Sequence, residues 1–174
     1  MKLITKLTLT VVVTFCFAQL VSAQTVGKGA WMIGGSAALD ITKYKEADES
    51  TTSILLNPTL GYFIADDLAI GLGLTVFDNG DENSDAFFGL GPFVRYYVTD
   101  PIFIQAGVDL ELNDGGGTSF GAKVGYSWFL NNGVAIEPAL YFQSYSNDGD
   151  LFDYSSFGLS VGIQAFANHE HGME

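Results

Sequence analysis

Hydrophobic and polar residues alternate along most of this chain with a period of two, the spacing of a β-strand whose faces meet different surroundings. In the segment from 68 to 78, Leu68, Ile70, Leu72, Leu74 and Val76 share one face, and Ala69, Gly71, Gly73, Thr75 and Phe77 share the other. The next segment sets Phe88, Leu90, Pro92, Val94, Tyr96 and Val98 against Phe87, Gly89, Gly91, Phe93, Arg95 and Tyr97. Ile102, Ile104, Ala106, Val108, Leu110 and Leu112 then oppose Phe103, Gln105, Gly107, Asp109 and Glu111. The division continues to Phe142, with Lys123, Ser127, Glu137 and Gln143 always on the second face. Eight strand-like segments result, roughly 30–44, 52–64, 68–78, 85–98, 102–112, 118–130, 134–145 and 154–167, with no convincing amphipathic helix. One face is apolar throughout; the other is small, polar or aromatic.

The connections carry a second regularity. Tyr62-Phe63-Ile64-Ala65-Asp66-Asp67, Tyr96-Tyr97-Val98-Thr99-Asp100-Pro101 and Trp128-Phe129-Leu130-Asn131-Asn132-Gly133 each run from two aromatics and an aliphatic into a tight polar turn. Turn formers between two alternating runs predict hairpins, and hairpins at a regular period predict an up-and-down antiparallel sheet. Short turns after the second, fourth and sixth strands alternate with longer, mostly acidic loops. An even-stranded barrel with both ends on one side puts all short turns on that side. Pro92 and Pro138, mid-strand, cost ladder bonds and are expected to mark bulges or weak pairing.

Alternation alone leaves open which face is inside. A soluble lipocalin-like barrel would solvate the second face and load it with charge, yet over eight strands it carries about six ionisable groups: Asp40, Arg95, Asp109, Glu111, Lys123 and Glu137. Such a face fits a narrow lumen, with the uniformly apolar face turned to lipid. The expected fold is therefore all-β, an eight-stranded antiparallel up-and-down transmembrane β-barrel. Tyr62, Tyr96 and Trp128 then fall near the short-turn rim, where an aromatic girdle belongs.

Composition adds an address. Lys2 and Lys6 precede an apolar run from Leu7 to about Ala18, and Val21-Ser22-Ala23 ends it in small residues, the pattern of a cleavable signal peptide. We read 1–23 as the signal, 24–167 as the barrel and 168–174 as a tail. Cys16, the only cysteine, leaves with the signal, so no disulfide is expected. The net charge of −13 becomes two units more negative without Lys2 and Lys6. That balance excludes the basic clusters nucleic-acid binding needs.

The signal, the alternating strands and the repeated aromatic turns resemble the small outer-membrane β-barrel family, of the OmpA membrane-domain and OmpX kind, over essentially the whole mature chain. The resemblance implies an integral protein of the bacterial outer membrane, in contact with lipid and lipopolysaccharide and inserted by the barrel-assembly machinery. One departure concerns that insertion: family members usually end on an outward aromatic, whereas Phe166 falls on the lumen phase and eight residues follow it.

Candidate chemistry is sparse. Arg95 and Glu137 are expected at one level of the lumen and Asp109 and Lys123 at another, each pair compensating a charge that is costly to bury alone. A polar plug, or a gate or proton path, could be built from them. The loops holding Asp78, Asp81, Glu82 and Asp85, and Asp148, Asp150 and Asp153, are rich in oxygen ligands of the kind hard cations prefer. Neither matches a calcium-loop pattern, since Ala86 stands where the turn glycine belongs, so solvated loops are expected and no metal is assigned. His169 and His171 lie beyond the last strand, which leaves no nucleophile–base pair and no cofactor motif. The expectation is a non-enzymatic barrel with an envelope-structural or surface-interaction role through its acidic loops. The alternatives are a narrow pore or small-solute transporter and, third, a lipid-modifying enzyme.

Overall fold

The computed structural model describes residues 27–43, 50–78, 86–112, 117–146 and 154–167, with backbone alone at 39–43, 50–52 and 154. Residues 1–23, read above as a signal, residues 168–174 with His169 and His171, and Asp81, Glu82, Asp85, Asp148, Asp150 and Asp153 lie outside these residues.

Every alternating segment forms a strand: β1 (Trp31–Lys43), β2 (Ser50–Ala65), β3 (Leu68–Asp78), β4 (Phe87–Thr99), β5 (Ile102–Glu111), β6 (Thr118–Tyr126), β7 (Trp128–Asn131), β8 (Val134–Ser146) and β9 (Tyr154–Ala167). The sixth crossing is broken at Ser127 into β6 and β7, both of which pair with β8. The break does not change register: Gly125 faces Ala139 and Trp128 faces Ile136, so Ser127 lies opposite Glu137. On the same line Tyr126 falls opposite Pro138, which has no N–H to give to the ladder. Antiparallel neighbours succeed one another in chain order, β1 pairs with β9 and β6 with β8, so the sheet closes into an eight-crossing barrel in which, among the described residues, β7 is paired on one side alone.

Closure comes with a stagger. From Phe166, the pairings step through Met32, Gly61, Gly71, Phe93, Gly107, Gly121 and Gln143 and return to β9 at Ser156, ten residues from the start. A stagger of this size in eight strands tilts them by roughly 40° from the barrel axis. Much of that ring is glycine, which makes room for the large side chains beside it. A Cβ on Gly71 would lie 2.6 Å from Phe93 Cζ, and one on Gly61 3.1 Å from the same atom.

The three short turns share one construction. Ala65 pairs with Leu68, Thr99 with Ile102 and Asn131 with Val134, each with a register shift just before the turn. In the first of them the loop ends on a left-handed residue, Asp67 at φ 65°, an arrangement that commonly accompanies a one-residue bulge. Bulges thus sit at the turns, not at the prolines; Pro92 and Pro138 fall at gaps in the ladder instead.

The faces divide as the alternation predicts. Outward positions are large and apolar on all eight crossings: Ile33, Leu60, Leu72, Val94, Ile104, Val124, Leu140 and Ile163 are all exposed. On β4 this run extends from Phe88 to Val98, which at ~3.3 Å per residue and the tilt above covers roughly 25 Å, the height of an outer-membrane barrel's apolar band. Trp31, Tyr62, Tyr96 and Trp128 stand exposed in a row at the short-turn rim, and Trp31 packs on Tyr62 with centroids 5.0 Å apart.

Candidate functional site

The lumen is built in layers. At the short-turn end, Met32, Phe63, Phe93, Tyr97, Phe103 and Phe166 are buried in one cluster, with Phe129 packed against it. Their rings meet at centroid distances of 5.4 to 6.3 Å, within the range of favourable aromatic pairs. Phe166 therefore points inward, where it contacts Phe63 and Phe129. At the long-loop end a second cluster of Ala38, Leu55, Phe77 and Tyr141 is covered by Phe87 and Tyr145, whose ring stacks 4.7 Å from that of Phe77.

Polar groups occupy the space between. Arg95, 2% exposed, places Nη1 at 2.9 and 3.0 Å from the two carboxylate oxygens of Glu137, and its Nε donates to Gln105 Oε1 at 2.9 Å. Its guanidinium carbon lies 4.1 Å from the Phe103 ring centroid, so the aromatic floor also stabilises the cation. Ser127 Oγ donates to Glu137 Oε1 at 2.7 Å and lies 3.0 Å from Tyr97 Oη. The strand break at Ser127 thus coincides with the point where its side chain joins the ion pair to the floor.

Above this layer the arrangement departs from the expected pairing of Lys123 with Asp109. Lys123 Nζ reaches across the lumen to Ser36 Oγ at 2.7 Å. Asp109 Oδ2 instead accepts from Thr75 Oγ1 at 2.7 Å and Ser119 Oγ at 3.2 Å, with Asn57 and Gln143 donating behind them. The reason is the tilt: Lys123 pairs with Gln105 and Tyr141 across its own strands, while the cross-strand partner of Asp109 is Ser119. Glu111 is not part of this network, since its Oε2 accepts from Gly117 N at 2.7 Å and holds the mouth of the β5–β6 loop. The Asp40 side chain lies outside the described residues, and Asp78 is exposed at the end of β3. Among the described residues, no group of three or more His, Cys, Asp or Glu side chains is arranged to hold a metal ion.

The neutral partners Gln105, Ser127, Thr75, Asn57, Ser119 and Ser36 were not singled out from sequence. Their one visible signal was position, because each falls on the second face of its strand. Among the described residues, two polar cavities lie in the packed lumen. One of about 30 Å³ is lined by Asn57, Thr75, Asp109 and Lys123 among others, and one of about 10 Å³ by Ser36, Ser160, Gln164 and Lys123 among others. Both are on the scale of one or two water molecules.

No family model matches the chain, and neither does any curated protein. Solved structures do. The crystal structure of Neisserial surface protein A is 18% identical, with a TM-score of 0.54, over 79% of this chain and 97% of that one. A de novo designed transmembrane β-barrel is 12% identical, with a TM-score of 0.50, over 83% of this chain and all of the design. The chain is an all-β, closed antiparallel barrel of eight crossings and shares that architecture with transmembrane barrels.

Proposed function

We propose that this chain is a non-enzymatic integral protein of the bacterial outer membrane, with an envelope-structural or surface-interaction role exerted from its acidic loop end. The observation that carries the reading is the inverted distribution of side chains. Large apolar groups are exposed on all eight crossings, while the lumen-facing charges Arg95, Glu137, Asp109 and Lys123 point inward. An outward belt of this height is costly in water and matches the hydrocarbon thickness of a bilayer. Exported chains of this kind contact lipid and lipopolysaccharide and depend on the barrel-assembly machinery, and we assign the same partners here. The proposal takes 1–23 as the targeting segment.

The packed lumen favours a closed barrel over a narrow pore or solute transporter. Among the described residues, aromatic layers flank the polar zone on both sides, and the two cavities between them are on the scale of one or two waters. The cations Arg95 and Lys123 in the middle of the lumen are matched, among the described residues, by Glu137 and Asp109, as a space-filling plug requires. The hydroxyls beside the lumen carboxylates are committed as donors to them, Ser127 to Glu137 and Thr75 and Ser119 to Asp109, which does not favour an enzymatic role for these residues.

Electrophoresis of unboiled and boiled protein, with single-channel recording after reconstitution, tests both halves. A heat-modifiable band with no steady conductance is expected. Solubility in plain buffer without a mobility shift would overturn the membrane assignment, and stable openings permeable to small ions would overturn the plug.

A further inference from the structure

The outer wall is not evenly covered. On β5 and β6 two outward alanines, Ala106 and Ala122, face each other across the ladder. The same line of pairing carries Val94 on one side and Phe142, then Phe157, on the other. Small floor residues between large walls leave a groove of about 610 Å³, within the ~300–1,000 Å³ range of clefts that hold small molecules. Phe157, 81% exposed, stands up as its most prominent wall at the long-loop end. Tyr96, a member of the aromatic row at the short-turn rim, lines the other end.

We propose that this groove binds one acyl chain of a phospholipid from the periplasmic leaflet, running from Tyr96 into the apolar belt over Ala106 and Ala122. The assignment rests on the outer-membrane reading above. Three observations choose this occupant. Apart from Gln105 and Lys123 the groove is lined by aliphatic and aromatic residues, so a ligand there gains chiefly by apolar contact. The groove begins at an interfacial tyrosine, whose ring favours hydrocarbon and whose hydroxyl favours the headgroup level. A chain entering there has its headgroup on the short-turn side, which is the periplasmic side. A second copy fits less well: a two-fold contact would set groove against groove and leave a void where the alanines lie.

The test uses the full chain reconstituted in vesicles of phosphatidylethanolamine and phosphatidylglycerol doped with a phospholipid that carries a diazirine in mid-chain. After illumination, adducts are mapped by mass spectrometry, with flotation and heat-modifiable mobility recorded on the same samples. Adducts on the β5–β6 wall are expected to exceed those on the wall of Leu60 and Leu72 severalfold. Ala106→Leu and Ala122→Leu, each filling the floor, should bring the yield down to the level of that opposite wall. If neither variant folds, the wild-type adduct map decides. Equal yields around the barrel, or protein–protein crosslinks centred on Ala106 and Ala122, would overturn the lipid site while leaving the barrel in the membrane. Failure to float would overturn the outer-membrane reading and the groove together.

Discussion

Replacing Arg95 with Met keeps much of the side-chain volume and removes the charge. Glu137, 3% exposed, would lose both of its contacts to Nη1 and keep Ser127 as its remaining partner. Stranding one member of a buried pair costs about 3–5 kcal/mol, and loss of the cation over Phe103 adds roughly 1 kcal/mol. The double variant Arg95→Met with Glu137→Gln removes both charges and leaves an amide oxygen for Ser127 to donate to. A buried pair exchanged for neutral groups of similar volume is often close to neutral in stability, so the double variant should lie within about 2 kcal/mol of wild type. Urea unfolding in phospholipid vesicles, followed by tryptophan fluorescence and by the heat-modifiable band, gives the four corners of the cycle. If the single variant costs less than about 1 kcal/mol, or the double variant costs the sum of the singles, the pair does not hold the lumen as described. Channel recording on the same samples shows whether loss of Arg95 also opens the barrel.

Gly91→Ala places a Cβ against the Val108 carbonyl, a backbone atom that cannot swing aside, and should cost roughly 1–3 kcal/mol in the same unfolding assay; an unchanged midpoint would contradict the packing of β4 on β5. Leu72→Arg, in the middle of the outward belt, should lower the folding free energy in bilayers by about 2–4 kcal/mol, whereas Val98→Arg near the rim should cost about 1 kcal/mol or less. Equal costs at the two depths would argue against the bilayer orientation. At the first short turn, burial, then Asp100, then Asp66, hold the Asp67 carboxyl above the usual carboxylate range. A raised carboxyl favours the fold while it is protonated and gives up that contribution as pH rises through its folded-state value. Asp67→Asn, which also suits the left-handed backbone at φ 65°, should raise the unfolding midpoint slightly at neutral pH and flatten its decline with rising pH. An Asp67→Asn variant with the same pH profile as wild type would remove the acid cluster from the explanation.

Strand number, face assignment and turn positions were legible because each depends on neighbours only a few residues away. Leu68 to Val76 declare a face by period alone, and Asp66-Asp67, Asp100-Pro101 and Asn132-Gly133 declare turns by residue type. Arg95 and Glu137 could be matched because few charges lie on the lumen side. The partner of Lys123 could not. Counting residues up from the rim treats the strands as upright, but the tilt lowers the ladder on one side of each residue and raises it on the other. Ser36, 87 residues earlier in the chain, comes within reach of Lys123 only through the stagger accumulated around the ring. That stagger is a property of closure, and no single hairpin records it. The neutral groups around Asp109 were hidden for a related reason: a serine or threonine on the inner face looks the same whether it fills space or satisfies a carboxylate.

The ten-residue offset on returning from Phe166 to Ser156 also constrains how this protein can vary. In an open sheet, a strand that slips by one residue exchanges its faces and disturbs one or two neighbours. In a closed ring the slip must be undone at another seam, because the offset around the circuit belongs to the whole circuit. Single-residue insertions within a crossing are therefore not local events here: each would turn a run such as Leu68 to Val76 toward the lumen or force a compensating bulge elsewhere. Length changes of two residues, or changes confined to the long loops, leave the parity of every face intact. Natural variation in length should accordingly collect at the long-loop end of the barrel.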